Sequence, residues 1–223
     1  NGPFAPLHRL TPVRMEYITA QLAAEFGRDR KENRPFEGLR VLDIGCGGGL
    51  TAEPLARLGA DVTGIAAAEP PLGEARAHAA QSGLAVCYKG SSAVDLSEPP
   101  FDAALALVVV EHVSDFPAFL SACAARVRPG GIFIASTLNR TAKSYALAIV
   151  GAEYILGWLP KGTHDWSRFL APDQLGAMIE ETGLEPVDRM GMAYTPLRDT
   201  WRLTPEDLSV NYLMLARKPD AAG

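Results

Sequence analysis

The sequence predicts one doubly wound α/β domain over residues 1–223: a mostly parallel sheet of about seven strands, with helices on both faces and an antiparallel edge strand. Three observations carry this. Short apolar or β-branched runs alternate with helical patterns every 20 to 25 residues or so, as βαβ units do. The first run ends in a cluster of glycines that opens onto a helix, the place where open α/β sheets bind ligands. No internal repeat or low-complexity segment interrupts the pattern, and 223 residues with 48% hydrophobic and 21% charged content suit one large domain.

In chain order, residues 11–26 read as a helix and 27–37 as a polar linker, so that residues 1–37 form an N-terminal appendage. Strands follow at 40–44, 61–65, 85–88, 101–106 and 131–136, the last entered through the turn Arg128-Pro129-Gly130-Gly131. Helical patterns fill 50–58, 72–81 and 116–127 between them. A final pair of strands, near 184–190 and 209–216, is separated by a long Pro-containing loop and closes the sheet as an antiparallel hairpin. Residues 140–165 are an insertion after the fifth strand. The opening Asn1-Gly2-Pro3, without an initiating Met, reads as the inside of a longer chain.

The strongest local feature is Val41-Leu42-Asp43-Ile44-Gly45-Cys46-Gly47-Gly48-Gly49-Leu50. Glycine lets a backbone turn tightly while a ligand lies against it, and the following helix N-terminus favours negative charge. A dinucleotide fingerprint requires a small residue at the sixth position for close helix packing, and here that position is Leu50. Asp43 has no role in cradling phosphate but suits a cation, the α-amino group of S-adenosylmethionine, bound directly or through water. A nucleotide-binding loop and a purely structural turn are the remaining alternatives. The acidic residue that would hold a ribose diol is expected about 20 residues past the glycines. That place is Ala66, and the first carboxylate after it is Glu69.

A net charge of -5 argues against nucleic acid as partner. Cys46, Cys87 and Cys123 form neither a CxxC pair nor a zinc-like cluster, which reads as a reducing, cytoplasmic setting without structural metal. No apolar stretch is long enough to cross a bilayer, the nearest being interrupted by Glu153.

The glycine loop, joined to Val110-Glu111-His112-Val113, Arg128-Pro129-Gly130-Gly131, Ser136-Thr137-Leu138-Asn139-Arg140 and Lys161-Gly162-Thr163-His164, makes the chain similar to the bacterial and mitochondrial ubiquinone-biosynthesis O-methyltransferases. Matching stretches run from residue 4 to Asn211-Tyr212. The resemblance implies a Rossmann-like class I fold and S-adenosylmethionine as methyl donor. It also implies as substrates a polyprenyl hydroxyphenol with adjacent hydroxyls and a demethylubiquinol. By matched positions it places cofactor contacts on Arg14, Gly45, Ala66 and about Leu107, to which the loop itself adds Asp43 and Gly47. It further implies peripheral attachment to the inner membrane, on the matrix side if the source is mitochondrial, and membership of a quinone-synthesis complex. The chain departs from the family at Ala66, where the family has Asp, and at Val108, the first of three metal-binding groups in mitochondrial members. These departures motivate a competing reading: a catalytically impaired member that serves as a binding or assembly component.

Transfer to a phenol is an in-line displacement at a sulfonium methyl, so the protein must align two molecules and help a hydroxyl lose its proton. His112, whose imidazole titrates near neutrality, is the candidate base. With Glu111 it is alternatively a ligand for Mg²⁺ or another divalent cation, which would lower the phenol's pKa. Glu111 could equally orient His112 or cap the next helix, and a structural role for His112 stays open. His164, with Asp165 to fix its tautomer, is a weaker substrate contact that competes with an ordinary capping role. Residues 144–159, apolar on most faces and flanked by Arg140, Lys143 and Lys161, read either as a helix lying in a membrane interface or as a lid over the active site.

Overall fold

The computed structural model describes residues 5–107, 109, 113, 115–146, 165–195 and 200–220, with backbone alone at 5–8. Eight strands form one sheet in the order β3-β2-β1-β4-β5-β8-β6-β7. The parallel part comprises β1 (Arg40–Ile44), β2 (Asp61–Ala66), β3 (Val86–Gly90), β4 (Phe101–Leu107) and β5 (Val127–Leu138), each within a few residues of its predicted place. β6 (Glu185–Thr195) and β8 (Asn211–Arg217) are antiparallel neighbours, and β8 runs antiparallel to β5, so the predicted closing pair is present.

Among the described residues the sheet has one strand more than the sequence pattern predicts. The Pro-containing loop contains β7 (Thr200–Thr204), which pairs antiparallel with β6 and forms the outer edge. Its five residues alternate polar and apolar, a two-residue period that the sequence reading leaves inside the loop, and they pair with β6 while Trp201 and Leu203 pack on the core. The predicted entry turn into β5 lies inside the strand as an irregularity, with Val127 opposite Phe101 and Ile132 opposite Ala103, and Gly130 in the left-handed region.

Helices cover both faces. On one face α1 (Ala5–Glu25), α2 (Ala52–Arg57) and α3 (Glu69–Gln81) bury Tyr17, Ile18, Leu22, Leu55, Leu72 and Ala75 against Val41, Val62, Leu105 and Ile134. On the other, α4 (Phe116–Ala125) and α6 (Pro172–Glu180) bury Leu120, Cys123, Leu175 and Ile179 against Leu42, Ile65, Phe133 and Met214. A single turn, α5 (Ala142–Ser144), is capped by Thr141. The central strands, buried on both sides, therefore read as near-continuous apolar runs, as parallel strands must. α1 begins six residues before its predicted start and passes through Pro12, giving up one intrahelical bond there.

Because β1 leads to β2 on one side while the chain returns to β4 on the other, the carboxyl ends of β1 and β4 border the crevice where the strand order reverses.

Candidate active site

β1 delivers the glycine loop into this crevice. The N–H groups of Gly45 and Cys46 both donate to the Ile65 carbonyl, at 2.8 and 3.0 Å, and fold the loop over the end of β2. Gly45, Gly47 and Gly49 have φ of 73°, 50° and 81°, a region that L side chains rarely adopt. At Gly45 a Cβ would run into the Val109 side chain, and at Gly49 into the Tyr88 hydroxyl, so the loop is closed on those sides. At Gly47 and Gly48 nothing stands within 4 Å of an added Cβ, which leaves their outward surface open.

Asp43, two residues before the loop, is 3% exposed. Burial pushes its carboxyl up to about 7, against the pull of the Ala52 backbone N–H at the start of α2 and of the Arg14 charge. Among the described residues nothing hydrogen-bonds Asp43 Oδ2. An orphaned buried carboxylate oxygen is costly unless a ligand supplies the missing donor, and an ammonium group supplies both donor and charge. Arg14, buried on α1, lies close enough to bias the titration of Asp43. These residues fit the methionine end of the expected S-adenosylmethionine: a carboxylate for its amine, a guanidinium for its own carboxylate, and an open glycine backbone beside them.

The ends of the neighbouring strands complete the row. Leu107, nearly buried, closes β4 opposite Ser136 of β5. Ala66 closes β2 opposite Gly90, the last residue of β3, and its methyl packs on the core shared by α1, α2 and α3. The structure thus gathers Arg14, Asp43, Gly45, Gly47, Ala66 and Leu107 at one end of the sheet. At residue 66, the position expected to meet the ribose, the side chain is a methyl that offers no hydrogen-bonding group.

Glu111, His112 and His164 lie outside the described residues, as do Val108 and all of 144–159 beyond Ala146. Among the described residues no group of His, Cys, Asp or Glu is placed to hold a metal ion. Asp165 caps the 3-10 turn Trp166–Arg168 through the Ser167 N–H. All three cysteines are free; Cys46 lies inside the loop, and burial, followed by the Asp43 charge, pushes its thiol up to about 12, so it is inert.

Two features of the site escaped the sequence reading. Tyr88 stands beneath the loop with a buried hydroxyl that has no partner among the described residues. Glu53, buried at the start of α2, is held by His78 Nδ1 at 2.7 Å. Both are formed by residues more than 20 positions apart in the chain, which no local pattern reveals.

A methyltransferase domain model matches residues 14–189. The ubiquinone biosynthesis O-methyltransferase of Dinoroseobacter shibae is 56% identical over 220 residues, covering 98% of this chain and 89% of that protein. The proteins of the same name from Cereibacter sphaeroides strain ATCC 17025 and from Roseobacter denitrificans are 54% and 52% identical over the same share of the chain. The chain belongs to the ubiquinone biosynthesis O-methyltransferase family. In fold this methyltransferase is similar to magnesium protoporphyrin IX methyltransferase from Synechocystis PCC 6803 with bound SAH (TM-score 0.67, 20% identity, 92% of this chain and 82% of that one). It is similar also to a Burkholderia thailandensis 1,6-didemethyltoxoflavin-N1-methyltransferase (TM-score 0.60, 22% identity, 92% and 78%).

Proposed function

We propose that the chain transfers a methyl group from S-adenosylmethionine to a phenolic hydroxyl of a polyprenylated catechol in ubiquinone synthesis. The observation that carries the reading is the orphaned Asp43 Oδ2 beside Arg14 and an open glycine loop. When bound, the cofactor supplies an electrophilic methyl on a sulfonium centre. Asp43 and Arg14 grip its amino-acid end, and Gly45 and Gly47 let the backbone approach it. Leu107 walls the β4 side of the cleft against water. His112, five residues past Leu107 in the chain, accepts the phenol proton, with Glu111 beside it to orient the imidazole.

Incubation with radiolabelled donor and a prenylated catechol tests this, with a monomethyl ether as the expected product. His112→Ala should lower kcat by about 10²–10⁴ while S-adenosylhomocysteine still binds. A His112→Ala enzyme that turns over normally would end the assignment of the base. Turnover that EDTA abolishes and Mg²⁺ restores would assign Glu111 and His112 to a divalent cation completed by the two catechol oxygens; turnover indifferent to EDTA leaves proton removal to the imidazole. Calorimetry that detects no S-adenosylhomocysteine binding would favour the assembly role.

Peripheral membrane contact through 144–159, on the cytoplasmic side of the inner membrane, is part of the proposal. At the two ends of the insertion Tyr145 and Trp166 are exposed and meet edge to face at 6.2 Å, beside exposed Arg140, Lys143 and Arg168. Aromatic and basic anchors of this kind favour a headgroup region. Flotation with anionic liposomes is expected to carry the protein upward, and a Tyr145→Ser/Trp166→Ser variant less so. No described helix is long and apolar enough to cross a membrane.

A further inference from the structure

Position 66 cannot hold a ribose diol, yet a carboxylate stands one strand away. Glu69 is the first residue of α3, three positions past the end of β2. Its Oε1 occupies the space where a side chain at Gly90 would begin, so that a Cβ added to Gly90 would lie 2.5 Å from it. Gly90 is not among the glycines with a positive φ. The backbone therefore does not require glycine there, and the missing side chain leaves room for the Glu69 carboxylate. Side chains two apart on a strand share a face, and Tyr88, two residues before Gly90, packs into the same core as Ala66. Ala66 and Gly90 are directly paired, so the Glu69 carboxylate stands on the face of the Ala66 methyl at about the 5 Å spacing of adjacent strands.

The carboxylate is also oriented. Arg76 Nη1 donates to Glu69 Oε2 at 3.0 Å, while Arg76 Nη2 is itself fixed to the Tyr88 carbonyl at 3.2 Å. Among the described residues no hydrogen bond reaches Oε1, and the Glu69 side chain is 67% exposed, so a ligand in the cleft can reach it. An ionised carboxylate has acceptor sites to spare for two hydroxyl donors.

We propose that Glu69, presented by α3 and given room by Gly90, binds the ribose hydroxyls of the S-adenosyl group in place of the carboxylate that Ala66 lacks. The proposal rests on the methyltransferase reading above and names the residue that completes its cofactor site.

Calorimetric titration of the intact protein with S-adenosylhomocysteine and with its 2′,3′-dideoxy analogue tests it. Glu69→Gln should raise the dissociation constant for S-adenosylhomocysteine about tenfold and leave that for the dideoxy analogue unchanged. Gly90→Ala, which displaces the carboxylate, should behave the same way. Ala66→Asp should restore affinity in the Glu69→Gln background and gain less in the wild type, because the two carboxylates serve the same diol. Equal weakening for both ligands would make Glu69 a structural residue and overturn the proposal, as would full affinity in Glu69→Gln. A wild-type protein that binds neither ligand would instead overturn the methyltransferase reading, and this proposal with it.

Discussion

At the scale of single residues the site is governed by Asp43. Its carboxyl is raised from an ordinary value near 4 to about 7, chiefly by burial. A group that holds its proton more tightly when folded than when unfolded gives its full stability below the unfolded value and loses it as the pH rises through the folded one. Ligand-free protein should therefore lose stability between about pH 4 and pH 7 on account of Asp43, as read by urea denaturation, and Asp43→Asn should flatten that slope. Binding runs the other way, because an amine-bearing ligand prefers the ionised carboxylate. S-adenosylhomocysteine should bind about tenfold more tightly at pH 8 than at pH 6, and Asp43→Asn should weaken binding and remove most of this dependence. A pH profile identical in Asp43→Asn would show that the amine is held elsewhere.

At the scale of elements, the loop between β1 and α2 depends on backbone conformations and on close approaches at its two ends. Gly45→Ala forces an L residue into the left-handed region, at about 1–2 kcal/mol, and drives its methyl into Val109. We expect a lower denaturation midpoint and weaker cofactor binding together, whereas Gly48→Ala, with open space and no positive φ, should be close to neutral in stability. The loop and the five parallel strands are legible in the sequence because a buried strand, a glycine cluster and a helix start each leave a local signature. α6 carries one that the sequence reading leaves unused, Pro172 at its first turn and Leu175, Met178 and Ile179 at helical spacing; what fixes its place is β8, whose Met214 lies over Gly176 and whose Tyr212 hydroxyl bonds the Leu170 carbonyl. β7 has a two-residue alternation of only five residues inside a Pro-containing loop, and pairing with β6 is what makes it a strand. In the site, Asp43 and the loop are readable from spacing, whereas the relation of Glu69 to Gly90 arises only when β3 is laid beside β2.

At the scale of the whole molecule, α1 is tied to the far end of the chain. The Tyr17 hydroxyl donates to Asp188 Oδ2 on β6 at 2.8 Å, Gln21 reaches the same oxygen at 3.3 Å, and Arg217 on β8 pairs with Glu25 through two bonds of 2.7 and 2.8 Å. Tyr17 is fully buried, so Tyr17→Phe should cost about 1–2 kcal/mol in denaturant unfolding. An unchanged midpoint would mean that packing alone holds α1. Arg14 rides on this helix one turn before Tyr17. Its grip on the cofactor should therefore slacken when Tyr17 is changed, even though the Tyr17 hydroxyl bonds β6 and not the site.

The dependence of an N-terminal arginine on C-terminal strands has a temporal side. During synthesis the glycine loop and Asp43 leave the ribosome long before β6 and β8 exist to seat α1. A nascent chain arrested before Asp188 lacks the partner of the Tyr17 hydroxyl, so the final seating of the helix that carries Arg14 waits until β6 and β8 have emerged.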